Sequence, residues 1–271
     1  MIEVAAAASP LESAELLGFM TALEARVARF EASDDRPRPV LLPAYGGTRR
    51  LPNLTALLAL LLRRYGVPVL LHGPGDTAGQ FGRVTTAAVL CELGVEPVRS
   101  IDEARQRLAH EAIAYVPISL LAPGLDELVA LRRRMGLRED VNAIVSLIEP
   151  FGGAGFRVIA VSREDELQRM REFLAKTRAD ALLLRGTEGE PFANPRRQPR
   201  LECFVEGAPS VFFEADVGAP SAPAMLPLAP DAASAAAWIA AALAGEQPVP
   251  PPIVNQLACC LLATRRAPTS G

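Results

Sequence analysis

The chain has 271 residues, half of them hydrophobic, and a formal net charge of −3 with a pI near 5.6. That length and apolar content can bury a large core in one large domain, or one plus a small appendage. The acidic balance excludes a surface coated in positive charge, so any polyanion site must be local.

No apolar run reaches the roughly 20 residues of a transmembrane helix, since Leu54 to Leu62 stops at Arg63-Arg64. The N-terminus also lacks a basic region followed by a long apolar one, and a cytoplasmic protein without membrane contact is expected. Residues 1–10 are Ala-rich and carry no pattern. From Leu11 to Phe30, apolar Leu16, Leu17, Met20, Leu23 and Val27 follow the helical period. A polar, Pro-containing connector, Ala32 to Pro39, leads on. Residues 1–38 are expected to form a helical segment with its linker, and 39–271 a large α/β domain.

Short Val/Leu runs then alternate with amphipathic stretches. Strands are expected near 40–43, 67–71, 112–118, 157–162 and 180–184, and helices near 54–65, 80–93, 102–110, 124–135 and 164–176. Such alternation indicates a parallel sheet covered by helices on both faces. Arg200 to Phe204 and Pro209 to Phe213 read as a hairpin or edge pair, Ala215 to Pro230 as a Pro-rich loop. Two final helices are expected over Asp231 to Ala244 and Pro251 to Thr264, where proline suits a helix start.

The organising stretch is Val40-Leu-Leu-Pro-Ala-Tyr-Gly-Gly-Thr-Arg-Arg-Leu-Pro-Asn-Leu-Thr55, a strand, a glycine turn and the start of a helix. Gly46 and Gly47 let backbone N–H groups face one concavity, Thr48 and Thr55 add hydroxyls, and Arg49 and Arg50 add charge. On turn chemistry alone, an ordinary connection with solvated arginines is the better reading. Only His72 and His110 are available for acid–base chemistry and no nucleophile pairs with them, so no catalytic residue is assigned. Cys91, Cys203, Cys259 and Cys260 lack paired metal spacing; no metal or cofactor is expected, and the adjacent pair reads as buried thiols.

The turn resembles the glycine-rich phosphoribosyl-diphosphate loop of the anthranilate phosphoribosyltransferase family (glycosyl transferase family 3). That family's Gly-Thr-Gly-Gly-Asp appears as Ala44-Tyr45-Gly46-Gly47-Thr48, and its Asn-Ile-Ser as Asn53-Leu54-Thr55. His72-Gly73 falls where the family has Lys-His-Gly-Asn, and Leu131 to Arg138 with Asn142 is similar to its Val-Arg-x-x-Leu-Gly-x-Arg segment. The resemblance runs from about Leu11 to about Ala263 and implies a nucleoside phosphorylase-like α/β fold with a small, incomplete N-terminal helical subdomain. It also implies a phosphate or ligand site at Gly46, Gly47, Thr48, Asn53, Thr55, His72 and Gly73, with Arg132 facing the cleft where the family's arginine holds the anthranilate carboxylate, and a homodimer as the assembly.

Several family positions differ. Leu71 replaces the Lys, Pro74 the Asn, and the acidic pair that holds magnesium falls at Pro191-Phe192. A closer likeness is to the YbiB-type branch, described as nucleic-acid-binding and lacking the transferase activity. Its marks are Arg185-Gly-Thr-Glu-Gly-Glu190, Ala193-Asn-Pro-Arg196, Arg134-Met-Gly136 and Leu257-Ala-Cys-Cys-Leu-Leu-Ala-Thr264.

The leading expectation is therefore a DNA- or RNA-binding protein on a retired transferase scaffold. Arg49, Arg50, Arg63, Arg64, Arg83, Arg196, Arg197 and Arg200 would contact the phosphate backbone if they converge in space. Stacking platforms are scarce, so sequence preference should be weak. The alternatives are an active phosphoribosyl transferase of the anthranilate type and a module that binds only phosphate or diphosphate.

Overall fold

The computed structural model describes residues 13–75, 82–127, 144–217, 225–227 and 231–265. In chain order the described elements begin with α1 (Ser13–Glu24), β1 (Val40–Pro43), α2 (Thr55–Arg64), β2 (Val69–Gly73), α3 (Thr86–Glu92), α4 (Ile101–Glu111) and β3 (Ile113–Pro117). There follow α5 (Ile118–Leu121), β4 (Phe156–Val161), α6 (Glu164–Thr177), β5 (Ala181–Arg185), β6 (Leu201–Val205), β7 (Ala208–Phe213), α7 (Ala232–Leu243) and α8 (Pro251–Thr264).

The strands form one seven-stranded sheet in the order β3-β2-β1-β4-β5-β6-β7. β1 to β5 are mutually parallel, and the β6–β7 hairpin continues the sheet antiparallel at one edge. This is the α/β architecture that the alternating pattern predicts, and the expected edge pair is its last two strands.

Side chains alternate across the parallel strands with the period of two that a pleated backbone imposes. Val40, Leu42, Val69, Leu71, Phe156, Val158, Leu182 and Leu184 face one apolar layer, which α2, α3, α7 and α8 complete. Leu41, Leu70, Ala114, Val116, Ile159, Val161 and Leu183 face the other, beneath α1, α4, α5 and α6. Burial on both faces explains why these strands read as continuous apolar runs. On α8 the buried Ile253, Gln256, Leu257, Cys260 and Thr264 make one helical stripe toward the sheet. Burial pushes the Cys203 thiol up to about 11 and that of Cys259 up to about 12, so these cysteines are protonated packing groups at neutral pH.

Two boundaries differ from the sequence reading. α1 stops at Glu24 rather than continuing to Phe30, because the next backbone groups bond elsewhere: Ala28 N–H donates to Leu121 and Phe30 N–H to Pro150. α3 begins at Thr86 rather than near residue 80, where the Thr85 hydroxyl caps Ala88 N–H. The expected helix over 124–135 lies largely outside the described residues.

The chain leaves β1 toward β2 on one side and returns to β4 on the other. This reversal of strand order puts the switch point, where open α/β sheets bind their ligands, beyond the carboxyl ends of β1 and β4. Pairing between these two strands stops at Leu41 and Arg157, so they part toward that end. The glycine turn follows β1 directly into the opening.

Candidate anion cradle at the end of the first strand

Ala44 extends the ladder by one residue, donating its N–H to His72 O at 2.8 Å. A Cβ on Gly73 would collide with the Ala44 carbonyl and the Tyr115 hydroxyl, so the strand ends can approach only over glycine. Beyond Ala44 the backbone turns through Gly47, whose φ of +62° is left-handed. Thr48 and Val84 then exchange two backbone hydrogen bonds of 2.9 and 2.7 Å. The Arg83 guanidinium donates to the Gly47 carbonyl at 2.6 Å, holding the turn's carbonyl side outward from the concavity.

The N–H groups of Gly46 and Gly47 are left pointing at one place, and a carboxylate occupies it. Both donate to Glu190 Oε1 at 2.7 Å. Glu190 Oε2 accepts from the Thr86 hydroxyl at 2.7 Å, the Thr55 hydroxyl at 3.3 Å and Asn53 Nδ2 at 3.4 Å. Asn53 Oδ1 in turn accepts the Thr55 N–H, tying the start of α2 to the same carboxylate. Glu190 is fully buried. Its neighbour Glu188 serves the outer part of the loop, where its carboxylate accepts the N–H groups of Arg49, Arg50 and Leu51 at 3.0, 2.9 and 3.1 Å.

Both carboxylates arrive on one tight turn after β5. Thr187 N–H donates to Phe192 O and Glu190 N–H to Thr187 O, and Glu188 and Gly189 both have positive φ. A Cβ on Gly186 would strike the Glu190 carbonyl, so glycine there lets the turn fold back on itself.

The structure thus brings the predicted Gly46, Gly47, Asn53 and Thr55 around a single anion supplied by the chain itself. Thr48 is buried, with no hydrogen-bond partner for its hydroxyl among the described residues. His72 is fully buried on β2, its Nδ1 2.9 Å from the Tyr45 hydroxyl and its Nε2 without a partner among the described residues. Burial depresses its pKa to about 3, so the imidazole is neutral at physiological pH. Arg132 lies outside the described residues.

The sequence reading misses Thr86, Glu188 and Glu190 as site residues. Their signal is the Glu-x-Glu spacing inside Arg185 to Glu190, two acidic groups able to complement a glycine loop elsewhere in the chain.

The arginines divide by location. Because β6 runs back from Leu201 beside Leu184, the segment 186–200 lies at the same sheet end as the glycine turn. Arg49 and Arg50, with Arg196 and also Arg185, are exposed there and form no side-chain ion pair or hydrogen bond among the described residues. Arg197 donates to the Asp216 carbonyl, and Arg200 sits 3.6 Å from Glu214. Arg83 is committed to the turn. Arg63 and Arg64 end α2, which begins at the cradle and links the parallel β1 and β2, so about 15 Å of helix carries them toward the amino ends of the strands, the opposite end of the sheet. There Arg64 donates to the Leu243 carbonyl. These two do not converge with the rest.

The positions that the resemblance assigns to magnesium ligands do not fit the ion. Neither Pro191 nor Phe192 has a side-chain oxygen, Phe192 is fully buried, and the Pro191 carbonyl accepts from Gln256 Nε2 at 3.0 Å.

No protein-family model matches the chain. It is 34% identical over 257 residues to the uncharacterized protein YbiB of Escherichia coli, covering 94% of this chain and 79% of that protein. Anthranilate phosphoribosyltransferase from Shouchella clausii is 27% identical over 176 residues, a match spanning half of that enzyme. Among solved structures, the anthranilate phosphoribosyltransferase of Thermus thermophilus superposes with a TM-score of 0.68 at 22% identity, covering 93% of this chain and 74% of that one. The Saccharomyces cerevisiae enzyme in complex with PRPP and Mg gives 0.66 at 11% identity, over 94% of this chain and 72% of that one. A glycine turn after the first strand of a parallel sheet, on an anthranilate phosphoribosyltransferase-like fold and with this degree of identity, places the chain in the family of YbiB.

Proposed function

We propose that this protein binds nucleic acid through phosphate contacts, with little sequence preference, on a scaffold that no longer transfers a phosphoribosyl group. One observation carries the reading. The backbone N–H groups that a small phosphorylated substrate would need are satisfied by Glu190 and Glu188, whereas the Arg49 and Arg50 side chains on the same loop are exposed and unpaired among the described residues. Glu188 clamps that loop through the Arg49 and Arg50 N–H groups, so only the side chains, and not the loop backbone, have to be ordered on meeting a phosphate. Arg185 and Arg196 add charge at the same end of the sheet. The net charge of −3 opposes binding only weakly, since repulsion from distant carboxylates is screened beyond about 8 Å at physiological salt.

Four phosphate contacts from Arg49, Arg50, Arg185 and Arg196 give an expected slope of log affinity against log salt of about −3 to −4, by counterion release. Replacing Arg49 and Arg50 together by Ala should weaken oligonucleotides of any sequence alike and flatten that slope by about 1 to 2. Titration of fluorescent single-stranded and duplex oligonucleotides at several salt concentrations checks both. Absence of binding at low salt, or binding indifferent to salt, would overturn the proposal. The transferase alternative predicts turnover of anthranilate and phosphoribosyl diphosphate with magnesium above a buffer blank, and none is expected.

A further inference from the structure

Glu188 and Glu190 are two carboxylates, two residues apart, seated on two adjacent groups of backbone N–H donors in one loop. Gly46 and Gly47 hold the inner carboxylate; Arg49, Arg50 and Leu51 hold the outer. Two linked anions on successive donor groups offer this loop two negative charges in tandem, as the two phosphoryl groups of a diphosphate would. The inner group is completed by three side-chain donors and shielded from solvent, which marks it as a built site rather than a chance surface contact. We propose that the Thr187–Glu190 turn is a built-in competitor that occupies a diphosphate-type anion site and keeps free anions out of it.

The energetic logic is that of an intramolecular ligand. A carboxylate delivered by a short, doubly hydrogen-bonded turn has an effective local concentration of millimolar or more, which a free anion of equal intrinsic affinity must exceed to displace it. Gly186 and the positive φ of Glu188 and Gly189 show what the turn requires to make that delivery. Removing the Glu190 side chain leaves the Gly46 and Gly47 N–H groups, the Thr55 and Thr86 hydroxyls and the Asn53 amide facing a space that an anion can fill. The inference does not depend on nucleic-acid binding, which uses guanidinium groups outside the cradle.

The test is binding of inorganic pyrophosphate, without magnesium, to the wild type and to Glu190→Ala, followed by calorimetry and by thermal unfolding against sodium chloride of matched ionic strength. Glu190→Ala is expected to bind pyrophosphate at least tenfold more tightly than the wild type. At 10 mM pyrophosphate, about one hundred times an expected Kd near 0.1 mM, its Tm should rise by about 5 °C or more. Glu188→Ala, which empties only the outer donor group and leaves buried Glu190 in place, should gain a smaller, severalfold increase. It also provides the decision if Glu190→Ala does not fold even with pyrophosphate present. Wild-type protein that binds pyrophosphate as tightly as the variants would overturn the proposal. So would folded variants whose Tm does not distinguish pyrophosphate from chloride. Oligonucleotide titrations of the same samples separate this outcome from failure of the nucleic-acid reading.

Discussion

Glu190→Ala should lower the unfolding free energy by about 3–5 kcal/mol, measured by urea titration at neutral pH. The Thr86 hydroxyl already lies 3.2 Å from Asn53 Oδ1 and can turn to it, and the Thr55 hydroxyl can rotate toward the helix backbone. The Gly46 and Gly47 N–H groups have no such freedom, and each buried donor left without a partner costs about 1–3 kcal/mol. Glu190→Gln should cost only about 1–2 kcal/mol, because the amide oxygen can serve the two glycines while its NH2 faces hydroxyls able to accept, and the Asn53 amide that loses an acceptor there keeps its bond to the Val84 carbonyl. What is lost is the extra strength of bonds to a charged acceptor. An Ala variant as stable as the wild type would mean that burying the carboxylate costs as much as its hydrogen bonds return.

Stability should also fall as pH is lowered through a window set by His72. The unfolded chain titrates this group near 6.5, whereas burial holds it at about 3 in the fold. Between those values the unfolded state binds a proton that the folded state refuses. The contribution is therefore complete above about pH 6.5 and declines toward pH 3, at about 1.4 kcal/mol per pH unit. At pH 4.5 the loss attributable to His72 is roughly 2.7 kcal/mol. In His72→Asn, which keeps a polar group near Tyr45 but does not titrate, the drop in stability between pH 7 and pH 4.5 should be smaller than in the wild type by about that amount. Parallel pH profiles for the two proteins would show that the acid sensitivity lies elsewhere.

Most of the architecture was legible because each parallel strand is buried on both faces, and a continuous Val/Leu run bounded by helical patterns has few other homes. The Leu41–Leu42 and Leu183–Leu184 pairs, split between opposite layers, illustrate why no polar alternation was there to mislead. The end of α1 was less legible. Val27 and Phe30 keep a helical spacing and are both buried, but in an irregular segment whose backbone bonds to distant loops. Tertiary bonds decided that boundary, and local pattern carries no trace of them.

The cradle was half legible. Gly46, Gly47, Asn53 and Thr55 lie within ten residues of one another and announce a donor-rich turn. The acceptor comes from far along the chain, and nothing local to Glu190 says that it points inward rather than to solvent. A glutamate between glycine and proline reads as a surface turn residue. The arginines show the same limit: proximity in sequence groups Arg63 and Arg64 with Arg49 and Arg50, yet the intervening helix carries them away from the cradle.

The contacts between Glu190 and the glycine loop join residues 135 to 144 positions apart. They close only after β4 and β5 have been laid beside β1, so they should form late, downstream of the folding barrier. Kinetically, the site would then act as a latch on a sheet that is already assembled. Loss of the latch should leave the refolding rate nearly unchanged and appear almost entirely as faster unfolding, since interactions absent from the transition state set the unfolding arm of the chevron. On that expectation, two glycine N–H groups and one distant carboxylate should set the protein's lifetime in its folded state rather than its ability to reach that state.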